Sequence, residues 1–188
     1  MSELDDKSRE IILTLLRNGR ASFTELAGRL GVSVPSAKSR FESLRKSGLL
    51  DVRGVVNLNQ FNWKIAVAML KTETPTYAME HAKALRRCPK VIFTGATTGS
   101  YDIFAVFTGE NLSVLRKTIE NAVSGLEGVE KADFLYGDLP TYPEYIQLNL
   151  PDERTEKTPC EALCEGCLLY TTGKCRGCPA TIGGPTHI

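Results

Sequence analysis

Cysteine is the residue type with the clearest chemical pattern in this chain. Five of the six cysteines are spaced Cys160-x3-Cys164-x2-Cys167-x7-Cys175-x2-Cys178, and we call these five the tail cysteines. Each of the two Cys-x2-Cys pairs has a glycine inside it, which lets the backbone turn tightly around the sulfurs. Clustered thiols of this density indicate metal or redox chemistry rather than a disulfide framework.

Three kinds of centre are compatible with this spacing. A structural zinc ion would use the two Cys-x2-Cys pairs and leave Cys160 spare. An iron–sulfur cluster would use Cys160 with the first pair and one later cysteine, and Cys178-Pro179 is typical of the end of ferredoxin motifs. Metal-free thiols could instead form a redox-sensing disulfide. We favour zinc over the iron–sulfur cluster, and we expect Cys88, alone beside Pro89, to be a buried small side chain.

A helix-turn-helix is predicted between residues 22 and 50. Ser22 and Glu25 have the spacing of a capping box, in which two side chains satisfy backbone N–H groups at a helix start. Gly31 supplies the turn. Ser33 then caps a second helix that runs to about residue 47, where Gly48 ends it.

The second helix of this motif has an apolar and a polar face. Its apolar stripe, which we expect to be buried, consists of Val34, Ala37, Phe41 and Leu44. The polar face offers small hydroxyls between cations, so the helix could lie in a major groove while its cations reach phosphates. The residues expected to contact double-stranded DNA are Ser22, Ser33, Ser36, Lys38, Ser39, Arg40, Ser43, Lys46 and Arg53. Residues 1–53 carry ten Lys and Arg against seven Asp and Glu, a basic balance that fits this partner.

Flanking elements complete a small predicted domain over residues 1–58. An amphipathic helix over residues 6–18 precedes the motif, and its stripe is Ile11, Ile12, Leu15 and Leu16. Residues 49–52 and 55–58 are predicted to pair as a hairpin wing with Arg53 at its tip. A core this small is expected to depend on dimerisation.

Residues 59–150 alternate between strand and helix patterns. After a linker over residues 57–62, the predicted strands are 63–70, 91–96, 101–107 and 129–135, and the predicted helices are 77–87 and 111–123. This order is the ferredoxin-like βαββαβ arrangement, whose sheet has one face bare of helices and available to a second copy. A further strand is predicted over residues 145–150, and a charged linker with the cysteine-rich tail occupies 151–188.

The predicted fold class is therefore α+β, with an N-terminal winged helix-turn-helix, a C-terminal ferredoxin-like effector domain and a small cysteine-rich metal-binding tail. The 42% hydrophobic and 24% charged residues are those of a globular protein, and no run approaches the ~18 apolar residues of a membrane span. The acidic start lacks an apolar core, so we expect no signal peptide, no membrane partner and a cytoplasmic protein.

These elements resemble the Lrp/AsnC (leucine-responsive regulatory) family of transcription regulators over about residues 4–148. In the second helix-turn-helix helix, the matching residues are Ser33, Ala37, Arg40, Phe41, Leu44, Gly48 and Leu50. Gly99-Ser100-Tyr101-Asp102 stands where the family has glycine, a variable residue, tyrosine or phenylalanine, and aspartate. Family members commonly end before the cysteine tail, so the resemblance does not explain it.

The resemblance implies a homodimer joined through the sheets, often assembled into octamers. It also implies a small effector, frequently an amino acid, beside the turn over residues 97–102. The expected contacts are Thr97, Thr98, Gly99, Tyr101 and Asp102, with the Asp102 carboxylate accepting from an ammonium group. The alternative is an ordinary hairpin turn in which Asp102 bonds its own backbone.

The expected function is sequence-specific DNA-binding regulation, modulated by an amino-acid effector and by metal or redox state at the tail. One alternative is a ligand-sensing or scaffold protein on the same fold that does not bind DNA. Another is an enzyme like the sirohaem decarboxylases, which share a similar fold and use histidines and arginines around a porphyrin. Because this chain has only His81 and His187, we expect it not to be an enzyme.

Overall fold

The computed structural model describes residues 4–185, and the chain divides after Gly54 into two units. The first unit contains α1 (Asp6–Arg17), α2 (Phe23–Leu30) and α3 (Val34–Lys46). Each helix begins at a short polar side chain that accepts a backbone N–H, namely Asp5, Ser22 and Ser33. Gly31 ends α2 with φ +62°, a left-handed conformation that glycine adopts without steric cost.

The core of the first unit lies between the three helices and consists of Ile11, Leu26, Ala27, Leu30, Ala37 and Leu44. Two residues predicted to be buried are not. Leu16 is 75% exposed, because the inward position of that turn is taken by Thr14, which is buried. Val34 is 42% exposed because it is the first residue of α3, where a single turn of helix offers little cover.

The predicted hairpin wing is wrong in this structure, since residues 49–55 form no strand pairing. The Asp51 carboxylate instead accepts the backbone N–H of Val52 at 3.0 Å and the Arg53 Nε–H at 2.5 Å, so it bonds its sequence neighbours within an irregular segment. Val56 pairs in an antiparallel bridge with Ile146, in which each backbone N–H donates to the other carbonyl at 2.9 Å.

The second unit is built around one antiparallel sheet. Its elements are β1 (Lys64–Thr72), α4 (Pro75–Leu85), β2 (Val91–Ala96), β3 (Ile103–Gly109), α5 (Leu112–Ser124) and β4 (Val129–Asp138). The strand order β2-β3-β1-β4, with neighbours antiparallel, confirms the predicted ferredoxin-like arrangement. The four strands and two helices predicted for this arrangement all occur, with some ends displaced by a few residues.

Alternation along the strands gives this sheet two different faces. Against α4 and α5, Leu70, Ile103 and Phe107 are fully buried. The other face, which we call the open face, carries by register Val67, Met69, Phe93, Phe104, Val106 and Leu135. Large apolar side chains therefore lie on a sheet face that no helix of the described chain covers.

One end of the open face is covered by the segments that flank the sheet in sequence. Leu58, Leu139 and Ile146 form a buried cluster against which Ile65 and Ile92 pack. The predicted linker includes a 3-10 turn, Leu58–Phe61. The strand predicted over residues 145–150 is reduced to the single bridge between Ile146 and Val56, so that prediction is wrong in extent.

The tail belongs to the second unit, and contacts between residues 154–155 and 181–184 bring its two ends together. Thr155 and Thr181 form a parallel bridge, and the Arg154 guanidinium donates to the Gly184 carbonyl at 3.2 Å. A one-turn helix, α6 (Leu168–Thr171), separates the two Cys-x2-Cys pairs. Of the helices in residues 4–185, none has the length and apolar character needed to cross a bilayer.

Candidate DNA interface, effector turn and cysteine chamber

The exposed side of α3 carries the candidate DNA interface. Lys38, Ser39, Ser43 and Lys46 are all solvent-exposed, whereas Ala37 and Leu44 on the opposite side are buried. Within residues 4–185, neither Lys38 nor Lys46 makes an ion pair. Both ammonium groups are therefore available to an external anion such as a phosphate.

Three other predicted DNA contacts have structural roles. The Ser22 hydroxyl accepts the Glu25 N–H at 3.1 Å, and the Ser33 hydroxyl accepts the Ser36 N–H at 3.4 Å. These contacts satisfy N–H groups that the first turn of a helix leaves open. Both hydroxyls are thus helix caps, and Ser36, whose N–H is the partner of Ser33, is half-buried.

Arg40 is paired rather than free. Its guanidinium lies 2.6 Å from the Asp5 carboxylate, which joins the middle of α3 to the start of α1. Hydrogen bonds from Ser8 and then Arg40 lower the pKa of Asp5 to about 2. Arg40 is therefore held to a carboxylate that stays ionised at neutral pH.

Arg53, predicted at the tip of a wing, lies instead in an irregular segment beside Asp51. The Asp51 carboxylate is within 2.5 Å of Arg53 and 3.7 Å of Arg45. The hydrogen bond from Arg53 lowers the pKa of Asp51 below its usual value. Arg45, in the last turn of α3, and Arg53, in the segment after it, are both exposed, but part of their charge is balanced within the chain.

The turn between β2 and β3 is the candidate effector site. Residues 97–100 are exposed, and Gly99 has φ +134°, which favours glycine. The Thr97 N–H donates to the Asp102 carbonyl at 2.8 Å and closes the turn. Four consecutive exposed residues thus surround a position where a ligand could approach the backbone closely.

The Asp102 side chain is already satisfied by β1. Its carboxylate accepts the Thr72 N–H at 2.9 Å, the Thr72 hydroxyl at 3.2 Å and the Lys71 ammonium at 3.0 Å. The N–H of Thr72, followed by Lys71, lowers the pKa of Asp102. Asp102 therefore anchors the turn, and the ammonium that it was expected to accept is supplied by the chain itself.

Tyr101 belongs to a second polar group beside this turn. Its hydroxyl donates to Asp133 and accepts from Lys131 at 2.9 Å, while the Lys131 ammonium also lies 5.0 Å from the Tyr101 ring centre. Hydrogen bonds from Tyr101 and then Lys131 lower the pKa of Asp133. The Tyr101 ring is therefore fixed between the turn and β4.

All six cysteines line a single cavity between the tail and the body of the second unit, which we call the cysteine chamber. Cys88 comes from the segment between α4 and β2, and the five tail cysteines come from the loop around α6. Every one of the six is a free thiol. Lys90 and Lys117 line the same cavity and bring two cations to it.

Three thiols of the chamber have raised pKa values. Burial raises the pKa of Cys88 to about 12 and also raises those of Cys164 and Cys178. Backbone N–H groups act in the opposite direction, including that of Lys90 on the Cys88 sulfur. Because their pKa values are raised, these three cysteines are neutral thiols when no metal is bound. A metal ion would displace the thiol proton when it binds.

Of the two histidines, His81 lies within the described residues. His81 was expected to be partly exposed but is buried, with its Nε2 2.6 Å from the Glu127 carbonyl and its ring stacked on Tyr77. It therefore joins α4 to the loop before β4. His187 lies outside the described residues.

Sequence reasoning missed two groups of contributors. Lys71 and Thr72 hold Asp102, but their place beside it depends on strand register, which the local sequence does not specify. Cys88 was treated as an isolated core residue, although it lines the chamber with the tail cysteines. Its only local signal is Cys88-Pro89-Lys90, a thiol two residues from a cation.

Comparison with known proteins agrees with this architecture. A family model described as winged helix-turn-helix DNA-binding matches residues 4–51. The HTH-type transcriptional regulator LysM of Sulfurisphaera tokodaii is 32% identical over 129 residues, which are 69% of this chain and 91% of that protein.

Solved structures show the same fold. The leucine response regulatory protein LrpA of Mycobacterium tuberculosis superposes with a TM-score of 0.67 at 19% identity, over 75% of this chain and 97% of that one. A transcriptional regulator of Neisseria meningitidis, solved as a complex with L-methionine, gives a TM-score of 0.61 at 20% identity, over 74% and 92% of the two chains. With its helix-turn-helix, its βαββαβ sheet and these relatives, the chain belongs to the Lrp/AsnC family of DNA-binding transcription regulators.

Proposed function

We propose that this regulator reads specific DNA sequences as a homodimer, through the exposed side of α3. The observation that carries the proposal is that Lys38 and Lys46 are exposed and make no ion pair within residues 4–185, with the exposed hydroxyls of Ser39 and Ser43 between them. Small hydroxyls can approach base edges, and lysines at both ends can hold the helix on the phosphates. The family membership supports DNA as the partner.

The open face supports dimerisation. Phe93 is 58% exposed and stacks on Phe104 with ring centres 5.2 Å apart, and Leu135 on β4 is 59% exposed. An apolar sheet face is stabilised when a second sheet removes it from water, and two identical faces do this for each other around a two-fold axis. A dimer would also bring two copies of the first unit to one DNA molecule. Higher assemblies such as an octamer would be built from such dimers.

We further propose that an amino acid binds at residues 97–100 and modulates DNA binding. The exposed hydroxyls of Thr97 and Thr98 and the open backbone at Gly99 support this assignment. The Neisseria meningitidis regulator solved with L-methionine has the same fold. In this proposal Asp102 positions the turn through its contacts with Thr72 and Lys71 of β1, and the residues at the tip contact the ligand.

The tail cysteines supply a second proposed input. Thiolates are the preferred ligands of zinc and of iron–sulfur clusters, and five of them folded against the body support a metal-binding role. As a DNA-binding regulator of a family with prokaryotic relatives, the protein would act in the cytoplasm. The packing of His81 supports no catalytic role.

The test is selection of DNA from a random pool by the full-length protein, followed by sequencing of the bound fraction. We expect enrichment of a motif with two related half-sites, and a change in bound fraction when free L-amino acids are added one at a time. A K38Q/K46Q double variant should lose the enrichment, whereas K83Q, which removes an exposed charge from α4, should keep it. A pool that stays random with the wild-type protein would contradict the proposal.

A further inference from the structure

Cys88 is positioned to act together with the tail cysteines. It lies three residues after α4 and three before β2, and its side chain is 7% exposed. It lines the same chamber as all five tail cysteines. The body of the second unit thus contributes one thiol to a cluster that is otherwise supplied by the tail.

The backbone around several of these sulfurs has a common pattern. The Gly177 N–H donates to the Cys175 sulfur at 3.4 Å, from two residues further along the chain. Lys90 and Ala180 lie at the same sequence offset after Cys88 and Cys178, and their N–H groups act on those sulfurs. An N–H donor is a much better partner for a charged thiolate than for a neutral thiol. Cys88 therefore shares with Cys175 and Cys178 a backbone N–H two residues on, which is suited to a sulfur that binds a metal.

Two cations stand at the edge of the chamber, each beside a carboxylate. Lys90 is 8% exposed, lines the chamber and has its ammonium 3.4 Å from the Glu110 carboxylate. Lys117 lines the chamber from α5 and has its ammonium 3.2 Å from the Glu120 carboxylate. Several thiolates buried together are costly unless cations or metal ions balance them. Because the carboxylates already balance these lysines, most of the thiolate charge falls to the metal ions of the centre.

The number and type of donors favour a polynuclear centre over one zinc ion. Tetrahedral zinc takes four ligands. The chamber offers six thiols, and its lining within residues 4–185 includes no His, Asp or Glu. Within residues 4–185, no three His, Cys, Asp or Glu side chains are grouped so as to hold a metal ion, so the sulfurs must draw together around any centre that binds. The surplus of thiols matches an inorganic core held by cysteines alone.

We propose that the cysteine chamber binds an iron–sulfur cluster and that Cys88 is one of its ligands, joining the tail to the ferredoxin-like body. The inference rests on the proposed metal-binding role of the tail, and it names both the metal centre and an additional ligand. Iron–sulfur clusters in proteins are held mainly by four cysteine thiolates, and N–H donors to the sulfurs tune their reduction potentials. The remaining chamber cysteines then stand as neighbours of the cluster.

The test uses the full-length protein purified without oxygen, and the same protein after incubation with ferrous iron, sulfide and a thiol reductant. Iron, zinc and acid-labile sulfide are measured per chain, together with the visible absorption spectrum. The variants are C88A and C164S, which remove a body thiol and a tail thiol. The matched control is T118V, because Thr118 lines the same chamber but offers no sulfur. Circular dichroism and thermal unfolding report whether each variant folds.

We expect about two to four iron atoms and an equal number of sulfides per wild-type chain, with a visible sulfur-to-iron absorption. C88A and C164S should lose at least half of this iron while T118V keeps it. If C88A does not fold, iron X-ray absorption on the wild-type protein still tests the cluster through its iron–iron distance.

Three outcomes would overturn the inference in distinguishable ways. One zinc per chain, retained in C88A, would overturn both the cluster and the role of Cys88 while leaving the tail a metal site. Iron and sulfide retained in folded C88A would overturn the assignment of Cys88. Absence of bound metal before and after reconstitution would overturn the inference and the proposed metal-binding role of the tail together.

Discussion

Replacing Lys38 and Lys46 by glutamine should change how DNA binding depends on salt, more than it changes the fold. Both ammonium groups are exposed and unpaired within residues 4–185, so each is free to neutralise one phosphate. Each phosphate contact contributes about 0.9 to the slope of log affinity against log salt concentration. A dimer has two such lysines in each of its two chains, so the double variant removes four phosphate contacts and the slope should fall by about 3.6.

This slope difference is large enough to measure by fluorescence anisotropy with a labelled operator. Between about 50 and 200 mM salt, wild-type affinity should fall roughly 150-fold more than that of the double variant. K83Q, with an equal charge change per substitution on α4, should keep the wild-type slope. R40Q should also stay near it, because the Arg40 guanidinium is already 2.6 Å from Asp5. A double variant with the wild-type slope would refute the assignment of this face of α3 to the phosphates.

Three further predictions concern the second unit. D102N should make the unfolding temperature less dependent on pH in acid. The pKa of Asp102 is lowered in the folded state, so its contribution to stability is present at neutral pH and is lost as the pH falls below about 4. Unfolding temperatures of D102N that fall as steeply from pH 7 to pH 2 as those of the wild type would contradict this. F93E should convert the dimer to a monomer in sedimentation equilibrium, whereas M79E, at an equally exposed 58% on α4, should not; an F93E dimer would exclude the open face as the interface. G128A should lower the free energy of unfolding by about 1–2 kcal/mol, because Gly128 has φ +68° and a Cβ would lie 2.6 Å from the Tyr77 ring. The measurement is urea unfolding, and an unchanged urea midpoint would show that the ring moves aside freely.

The helices and strands could be predicted because local chemistry specifies them. Ser22, Gly31 and Ser33 have cap and turn preferences that act within a few residues, and the structure places them in those roles. The strand order followed from the alternation of strand and helix patterns. Burial was overestimated for Val34 and Leu16. Whether a position on an amphipathic helix is covered depends on which other elements pack against it, and the helix pattern does not specify them.

The pairing of side chains could not be predicted in the same way. Arg40 with Asp5, and Asp102 with Lys71, join residues distant in sequence whose encounter depends on packing and register. The wing failed for a related reason, because Val56 has a partner at Ile146 that the local sequence does not reveal. Cys88 lines the same cavity as the tail cysteines because the tail packs against the segment after α4, and the local sequence does not specify that packing.

The anchoring of Asp102 by β1 separates construction of the turn from the choice of ligand. Thr72 and Lys71 hold the base of the turn, whereas the side chains of Thr97, Thr98 and Ser100 at its tip are exposed. Substitutions of these three side chains therefore leave the contacts at the base intact, while Gly99, with φ +134°, stays glycine. A regulator built in this way can be retuned to a new small molecule by exchanging three side chains, while the scaffold that presents them stays unchanged.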